Sequence, residues 1–491
     1  MPSRPAVVRF TLSVALLAGG ALTLLPGSST AQTEPTLAAV ARADCGRGSR
    51  PETDIQGRVP RRDYESGRVK QGYTCNTRLV GRQGNSGGFK TFRYVDPAGH
   101  VCAFYDSTLL ILKDLIYDGV GEGRGVRVLD ISDPRNPRRT TSLTTLPMLN
   151  PHESLVFNAR RGLLAATLGT PATAPAVVAI YDVKTDCRYP KLLSMTVQPA
   201  LGHEAGFAPD GRTLYVTGAA GTFVALDVAD PRRPRQLFAQ YDVVYHGIRV
   251  SPDGRTAYVA NIGYPNAQSL LGSGGLRILD VSEIQDRKPQ PRVRVLSDLS
   301  WRSKSIPQHA DPIVVNGHKY VLEMDEYASF KVDLDFLLGA GFDADAAVGG
   351  ARLINVDDPR APFLVSNLRL EVNNPEGRIA SAKDPGASLP VQGYTGHYCS
   401  APKRVNPKLV ACSFVASGLR VFNIENPRRP REVAYFNVPK PPNPDPMRQG
   451  AWAMSAPAWD LKNRLVYYTD ANSGFYAVRL TNGVVPRSYL R

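Results

Sequence analysis

Five histidines stand in similar surroundings: His152 in NPHES, His203 in LGHEA, His246 in VYHGI, His309 in PQHAD and His397 in TGHYC. Two of them precede an Asp-Gly turn by seven residues, in GHEAGFAPDGRTLYVT (202–217) and YHGIRVSPDGRTAYVA (245–260). Neutral imidazole is a borderline donor that suits copper, zinc, nickel or iron, so five rings gathered in one place would make a metal site. Glu153, Glu204 and Asp311 lie close enough in sequence to orient those rings or to add oxygen ligands. The competing expectation is that each histidine braces neighbouring repeats and was copied with them.

Which expectation holds depends on the elements that carry the histidines. A second motif recurs in GVRVLDISDPRNPR (125–138), FVALDVADPRRPR (223–235), GLRILDVSE (275–283), ARLINVDDPRAP (351–362) and GLRVFNIENPRRPR (418–431). These segments alternate like strands, and most stop at Asp/Asn-Pro, where proline suits a turn and cannot donate to a ladder. Repeats of roughly 40–50 residues built from short strands predict an all-β, seven-bladed β-propeller with four antiparallel strands per blade. Innermost strands A are expected near residues 89, 153, 204, 247, 310, 398 and 455. The last blade, SAPAWDLKNRLVYYTDANSGFYAVRL (455–480), lacks a strand D, and NTRLVGRQ (76–83) has the character to supply it. An N-terminal strand is therefore expected to close the ring. The segments LDISDP, LDVADP, LDVSE and INVDDP resemble LVIVD repeats, a group of bacterial β-propellers, over about residues 76–480. What this resemblance implies is the propeller fold.

In such a blade the A–B and C–D turns share one face, and here they are tight: PDGR, NARR, DPRNP, DPRRP. The B–C and D–A loops share the other face and carry the insertions 107–124, 261–274, 326–349, 370–396 and 437–453. Long loops on a rigid scaffold are where binding usually lives, so that face is expected to be the working one. The five histidines start strands A and would ring the channel mouth there, with Lys90/Thr91 and Ser455 in the two remaining blades. His100 and His318 fall in A–B turns and are expected to be exposed. Gly84-Asn85-Ser86-Gly87-Gly88 matches a nucleophile elbow only in letters, because a strand rather than a helix follows. Gly119-Val120-Gly121-Glu122-Gly123 likewise leads into a strand and not a nucleotide-binding helix. Arg127, Arg277, Arg352 and Arg420 recur at one strand C position and are expected to pair between blades.

Residues 1–31 read as a secretory signal peptide: Arg4 and Arg9 flank the start of the short apolar run FTLSVALLAGGALTLL, and Ser29-Thr30-Ala31 offers a cleavage site near Ala31. The expected product is secreted into the extracellular or cell-envelope space, without a transmembrane segment, as a monomer. Residues 32–75 form a polar arm, and 76–485 the propeller. Export makes the six cysteines disulfide candidates. Cys399 and Cys412 fall opposite each other on one hairpin and are expected to pair, while Cys45, Cys75, Cys102 and Cys187 leave three pairings open. The formal net charge of +15 suggests attraction to anionic envelope polymers rather than nucleic acid, against the simpler view of a solvated basic surface. The expected function is a binding module that presents an envelope protein, polysaccharide or small ligand with its loop-rich face. The alternative is a copper- or zinc-dependent enzyme, an oxidase among them, using the histidine ring.

Overall fold

The Asp/Asn residues that end strand C are turn-makers, and in the computed structural model they act as such. Asp130 and Asp227 accept the backbone N–H two residues on, from Ser132 and Ala229, each at 2.9 Å. Asp280, Asn355 and Asn423 do the same for Ser282, Asp357 and Glu425. The second acid of the motif repeats the device, with Asp133 and Asp230 taking the N–H of Arg135 and Arg232 at 3.0 Å. These side-chain-to-backbone bonds stop the strand and reverse the chain, with a short helix, Ser282–Gln285, following only in blade IV among the described residues. The PDGR turns use the same chemistry, Asp210 and Asp253 holding the N–H of Arg212 and Arg255. Gly211 and Gly254 there have φ of +69° and +79°, a conformation that favours glycine.

The structure describes residues 38–107, 125–169, 175–198, 202–218, 221–263, 274–301, 306–326, 350–387, 393–440 and 449–490. The expected signal segment 1–31, the Gly119–Gly123 fragment, most of the insertions at 107–124, 261–274 and 326–349, and residues 441–448 of the 437–453 insertion lie outside the described residues. Seven antiparallel sheets follow one another in the chain, which is a seven-bladed β-propeller. Strands A are Thr91–Val95, Val156–Asn158, Glu204–Phe207, Tyr245–Val250, Ile306–Val315, Gly396–Ser400 and Ala458–Asp460 for blades I to VII. A register shift separates strands C and D in every blade, for instance between Ala225 and Leu226. Such bulges raise the local twist that each blade needs. The core lies between blades: Leu155, Leu164 and Tyr181 of blade II pack on Phe104 and Val128 of blade I. At the far end, Tyr105 and Leu129 of blade I meet Tyr467 and Phe475 of blade VII.

The N-terminal strand does close the ring. Thr77–Gln83 pairs antiparallel with Gly474–Leu480 as strand D of blade VII, from Thr77 opposite Leu480 to Gln83 opposite Phe475. Tyr73–Cys75 adds a fifth strand to blade VI on Arg431–Asn437. The preceding arm is fastened by Cys45–Cys75, by Gln56 on Glu432 (2.8 Å) and by Arg58 on Asp384 (2.8 Å). Asp384 belongs to the 370–396 insertion, whose described part folds into short helical turns such as Pro375–Ser381 against the arm. The described part of that insertion therefore packs on the arm.

Cys399 and Cys412 are directly opposed partners of one hairpin and are bonded. The other pairs are Cys45–Cys75 and Cys102–Cys187, the latter tying strand B of blade I to the C–D turn of blade II. The chain-entropy model gives about 4.5 kcal/mol for Cys102–Cys187, 85 residues apart, and about 3 kcal/mol for Cys399–Cys412, 13 apart. Urea titration should accordingly find Cys102→Ala/Cys187→Ala the more damaging double substitution. Equal losses would mean that loop length does not set the contribution here.

Among the described residues, three of the four recurrent strand C arginines meet acids of their own blade or of the arm, and Arg127 Nη2 donates to Ser86 Oγ at 3.4 Å. Arg352 binds Glu323 (2.9 Å) and Asp325 (2.6 Å) of its own blade, and Arg277 binds Asp298 of its own strand D (2.7 Å). Arg420 joins Glu432 of its own blade to Glu52 of the arm. Arg277, Arg352 and Arg420 are each buried or half-buried, and an acid on an adjoining strand of the same blade offsets the charge.

Candidate metal centre

Strand A does not run regularly at the places where site residues emerge. Register shifts fall between Tyr245 and Ile248, between Pro307 and His309, and between Gly396 and Tyr398. Each shift re-aims a side chain toward the channel axis: His246, Gln308 and His397 respectively. Close packing fixes the result, since a Cβ on Gly247 would meet the Gln308 carbonyl oxygen at 2.3 Å and Glu204 Oε2 at 2.4 Å. Glycine is required there. His152 is placed differently, by a backbone with φ of +49° in the turn after the short helix Leu146–Leu149. A left-handed non-glycine residue costs about 1 kcal/mol or more and draws attention to a functional constraint.

The result is a buried cluster built around Glu153. Its Oε2 lies 3.1 Å from His246 Nε2 and 3.5 Å from His203 Nε2. Its Oε1 lies 3.3 Å from His397 Nε2 and accepts a hydrogen bond from Gln308 Nε2 at 2.6 Å. Glu326, the last residue of strand B in blade V, closes a square: Oε1 is 3.4 Å from His246 Nε2, and Oε2 is 3.2 Å from His397 Nε2. His203 and His246 face each other Nε2 to Nε2 at 3.1 Å. His152 stands edge-on to His203, ring centroids 4.6 Å apart, and against Phe89 at 4.5 Å. His397 Nδ1 lies 2.9 Å from the Met454 carbonyl oxygen, to which it donates, so Nε2 is the nitrogen that faces the cluster.

Four of the five predicted histidines are therefore brought together, with Glu153. His309 is not: the shift after Pro307 turns Gln308 to Glu153 and leaves the His309 ring against Tyr398, 5.3 Å between centroids. Glu204 points one layer deeper, paired with Lys90 Nζ at 2.9 Å and Arg249 Nη1 at 3.3 Å. Asp311 lies farther along strand A, at the opposite end of the channel. Glu326, Gln308 and Phe89 were not identifiable from the histidine pattern. Antiparallel pairing puts the end of strand B beside the start of strand A, Glu326 opposite Ile306, so an acid at that end is the signal for Glu326. Of the two turn histidines, His318 is exposed, whereas His100 is half-buried and held by Asp96 at 2.8 Å.

The electrostatics follow from two carboxylates among several imidazoles in a dry site. Burial opposes a charged His246, but the adjacent Glu153 and Glu326 outweigh it and raise the ring to about 9. His397 is raised to about 9 against the same burial cost, again by Glu153 and Glu326. Glu153, for which burial alone would favour the acid form, is held well below the usual carboxylate range by His246, His203 and His397. His152 is pushed well below ordinary histidine by burial and by the charge of His203.

Proton sharing does not exhaust the geometry. Glu153 Oε2 and Glu326 Oε2 are both buried, with imidazole nitrogens 3.1–3.5 Å away. Donors around one ion at bond lengths of about 2.0–2.2 Å are about 3.0–3.5 Å from one another, the spacing observed here. His152, Glu153 and His203, and likewise Glu153, His246 and Glu326, present ligand atoms within 4.8 Å of one another. The donors present thus fit a transition-metal ion. His203 keeps 14% of its side-chain surface exposed while His246 and His397 keep 3% and 0%, so the cluster opens to solvent on the His203 side.

No family model matches the sequence, and no curated protein matches it. The chain is similar in structure to Kuenenia stuttgartiensis hydrazine synthase: TM-score 0.50, 11% identity, over 82% of this chain and 97% of that one. It is also similar to a protein named for a 6-phosphogluconolactonase from Bacteroides uniformis: TM-score 0.45, 12% identity, over 73% and 92% of the two chains. At these identities the likeness concerns the propeller fold. Among the described residues no helix is long and apolar enough to cross a membrane, and the three disulfides are compatible with an extracellular protein.

Proposed function

We propose that the protein is an exported, metal-dependent β-propeller of the LVIVD-repeat kind, holding one divalent transition-metal ion at the histidine-lined mouth of its channel. The observation that carries this reading is the pair of buried carboxylates, Glu153 and Glu326, set among three imidazole nitrogens at 3.1–3.5 Å, the spacing of ligands around one ion. Glu153, Glu326, His203, His246 and His397 would hold the ion, and His152 stands between His203 and Phe89. Two carboxylates beside imidazoles favour Zn²⁺ or Cu²⁺ over the softer Cu⁺. A metal held with an open position supplies a Lewis acid or an activated water, or with copper a redox centre. Around it the chain does the rest: Met454 fixes the His397 tautomer, Gln308 steadies Glu153, and Phe89 walls one side against water. Export is supported by the apolar N-terminal run and the three disulfides, and the LVIVD assignment by the Asp/Asn turns that end strand C.

The test is metal analysis of untagged protein, as purified and after dialysis against copper or zinc. One equivalent is expected, with a loss of at least tenfold in affinity for His246→Ala. A protein that stays metal-free after reconstitution would sink the reading and return the chain to a binding module that meets envelope material through its loop-rich face.

A further inference from the structure

Tight turns make the opposite face of the propeller look inert, yet the channel opens there into a cavity of about 560 Å³, within the range of small-molecule sites. The inner strands that begin at the histidine cluster end at this mouth. Its wall holds Phe92, Phe157 and Phe207 from blades I to III, then Arg249 and Asp311 from blades IV and V. Arg404 of the blade VI A–B turn completes it. That turn is held over blade V, where Val314 N–H donates to the Arg404 carbonyl at 2.8 Å and Asn406 N–H donates to the Val314 carbonyl at 2.7 Å. One side of the cavity is therefore aromatic and the other carries guanidinium groups.

The charges at this end are not paired off. Arg249 uses only Nη1, on Glu204 (3.3 Å) and the carbonyls of Ile248 and Ala205, so its Nε and Nη2 make no hydrogen bond among the described residues. Glu204 is already shared with buried Lys90 at 2.9 Å, which leaves two cations on one carboxylate beneath the cavity floor. Arg404 spends one nitrogen on the Val250 carbonyl, 3.2 Å away. Asp311 forms no ion pair with either arginine among the described residues. A guanidinium with a free edge in a partly desolvated pocket is a ready receptor for an oxyanion, and the phenylalanine wall suits a flat apolar body. We propose that this mouth is a second ligand site, distinct from the metal cluster, for a small molecule bearing a carboxylate or phosphate on an aromatic or similarly flat apolar body.

Calorimetric titration of the full chain, stripped with EDTA, tests this with phenylacetate, phenyl phosphate and benzylamine. Saturable one-to-one binding of either anion is expected, and none of the amine. Losing a charged hydrogen-bond donor is worth about 1.5–3 kcal/mol, so Arg404→Ala should weaken the anion about tenfold or more. Phe207→Ala should weaken it too, whereas His203→Ala should leave it unchanged. Arg249→Lys, which keeps the charge but loses the fork, guards against a variant that misfolds: it should melt like wild type and bind less. The proposal fails if neither anion saturates at millimolar concentration. It also fails if binding survives Arg404→Ala and Arg249→Lys but disappears in His203→Ala, since the anion would then be at the histidine cluster.

Discussion

Stability of the metal-free protein should fall as pH rises from about 6.5 to 9, and added Cu²⁺ or Zn²⁺ should reverse the trend. In the metal-free cluster His246 and His397 are raised to about 9, above the value of about 6.5 for a free histidine. A group raised on folding contributes fully below its unfolded pKa and loses that contribution as pH passes through the folded one. The slope is at most about 1.4 kcal/mol per pH unit for each histidine, shared between two coupled rings. Metal binding has the opposite sign, because the ion competes with those protons and gains affinity as they leave. Glu153→Gln should flatten both curves, since one carboxylate is common to His203, His246 and His397. Near neutral pH it should also cost about 3–5 kcal/mol in the metal-free protein, the usual loss on breaking a buried ion pair, less whatever the histidines recover by releasing protons. Thermal melts of wild type and Glu153→Gln at pH 6, 7.5 and 9, with EDTA or with metal, provide the check. Identical pH profiles for the two proteins would remove Glu153 from the centre of the cluster.

Deleting residues 38–83 should abolish the cooperative folded state. Without Thr77–Gln83, the strand Gly474–Leu480 loses its outer partner along its whole length, and the arm that ties blade VI is gone. Blade VII then no longer completes the packing of Tyr467 and Phe475 against Tyr105 and Leu129, on which closure of the ring depends. For a protein whose net stability is on the order of 5–15 kcal/mol, losing one strand of the closing blade and its disulfide-fastened arm exceeds the margin. A milder probe lies in the same strand: a Cβ at Gly81 would meet the Pro134 carbonyl oxygen of the blade I turn at 2.2 Å. Gly81→Val should therefore loosen the junction of blades VII and I and lower the midpoint of unfolding, leaving the other blades folded. Circular dichroism melts and gel filtration measure both. A truncated chain that melts cooperatively near the wild-type temperature would show that the ring closes without its N-terminal strand.

The sequence by itself determined the parts that depend on local chemistry. Asp/Asn-Pro and Pro-Asp-Gly turns act within a few residues, so strand boundaries, blade number and the two faces of the propeller could be read from them. The missing strand D in 455–480 and the alternation of 76–83 were enough to place the closing strand. Cys399 and Cys412 could be paired because a hairpin sets its own register. Repetition also showed that histidines begin several inner strands.

Only the tertiary structure decided what those strands deliver to the channel. A one-residue shift after Pro307 exchanges His309 for Gln308, and no local pattern announces it because side chains of a strand alternate faces at every step. Glu326 reaches the cluster through long-range pairing across blade V, and Gly247 is needed because the Gln308 backbone of the next blade approaches it. The pairings Cys45–Cys75 and Cys102–Cys187 depend on how the arm and neighbouring blades pack, as do the acids that meet Arg352 and Arg420. The cavity at the tight-turn mouth has the same origin. Its wall draws one or more residues from each of six blades, so it exists only once the ring is closed.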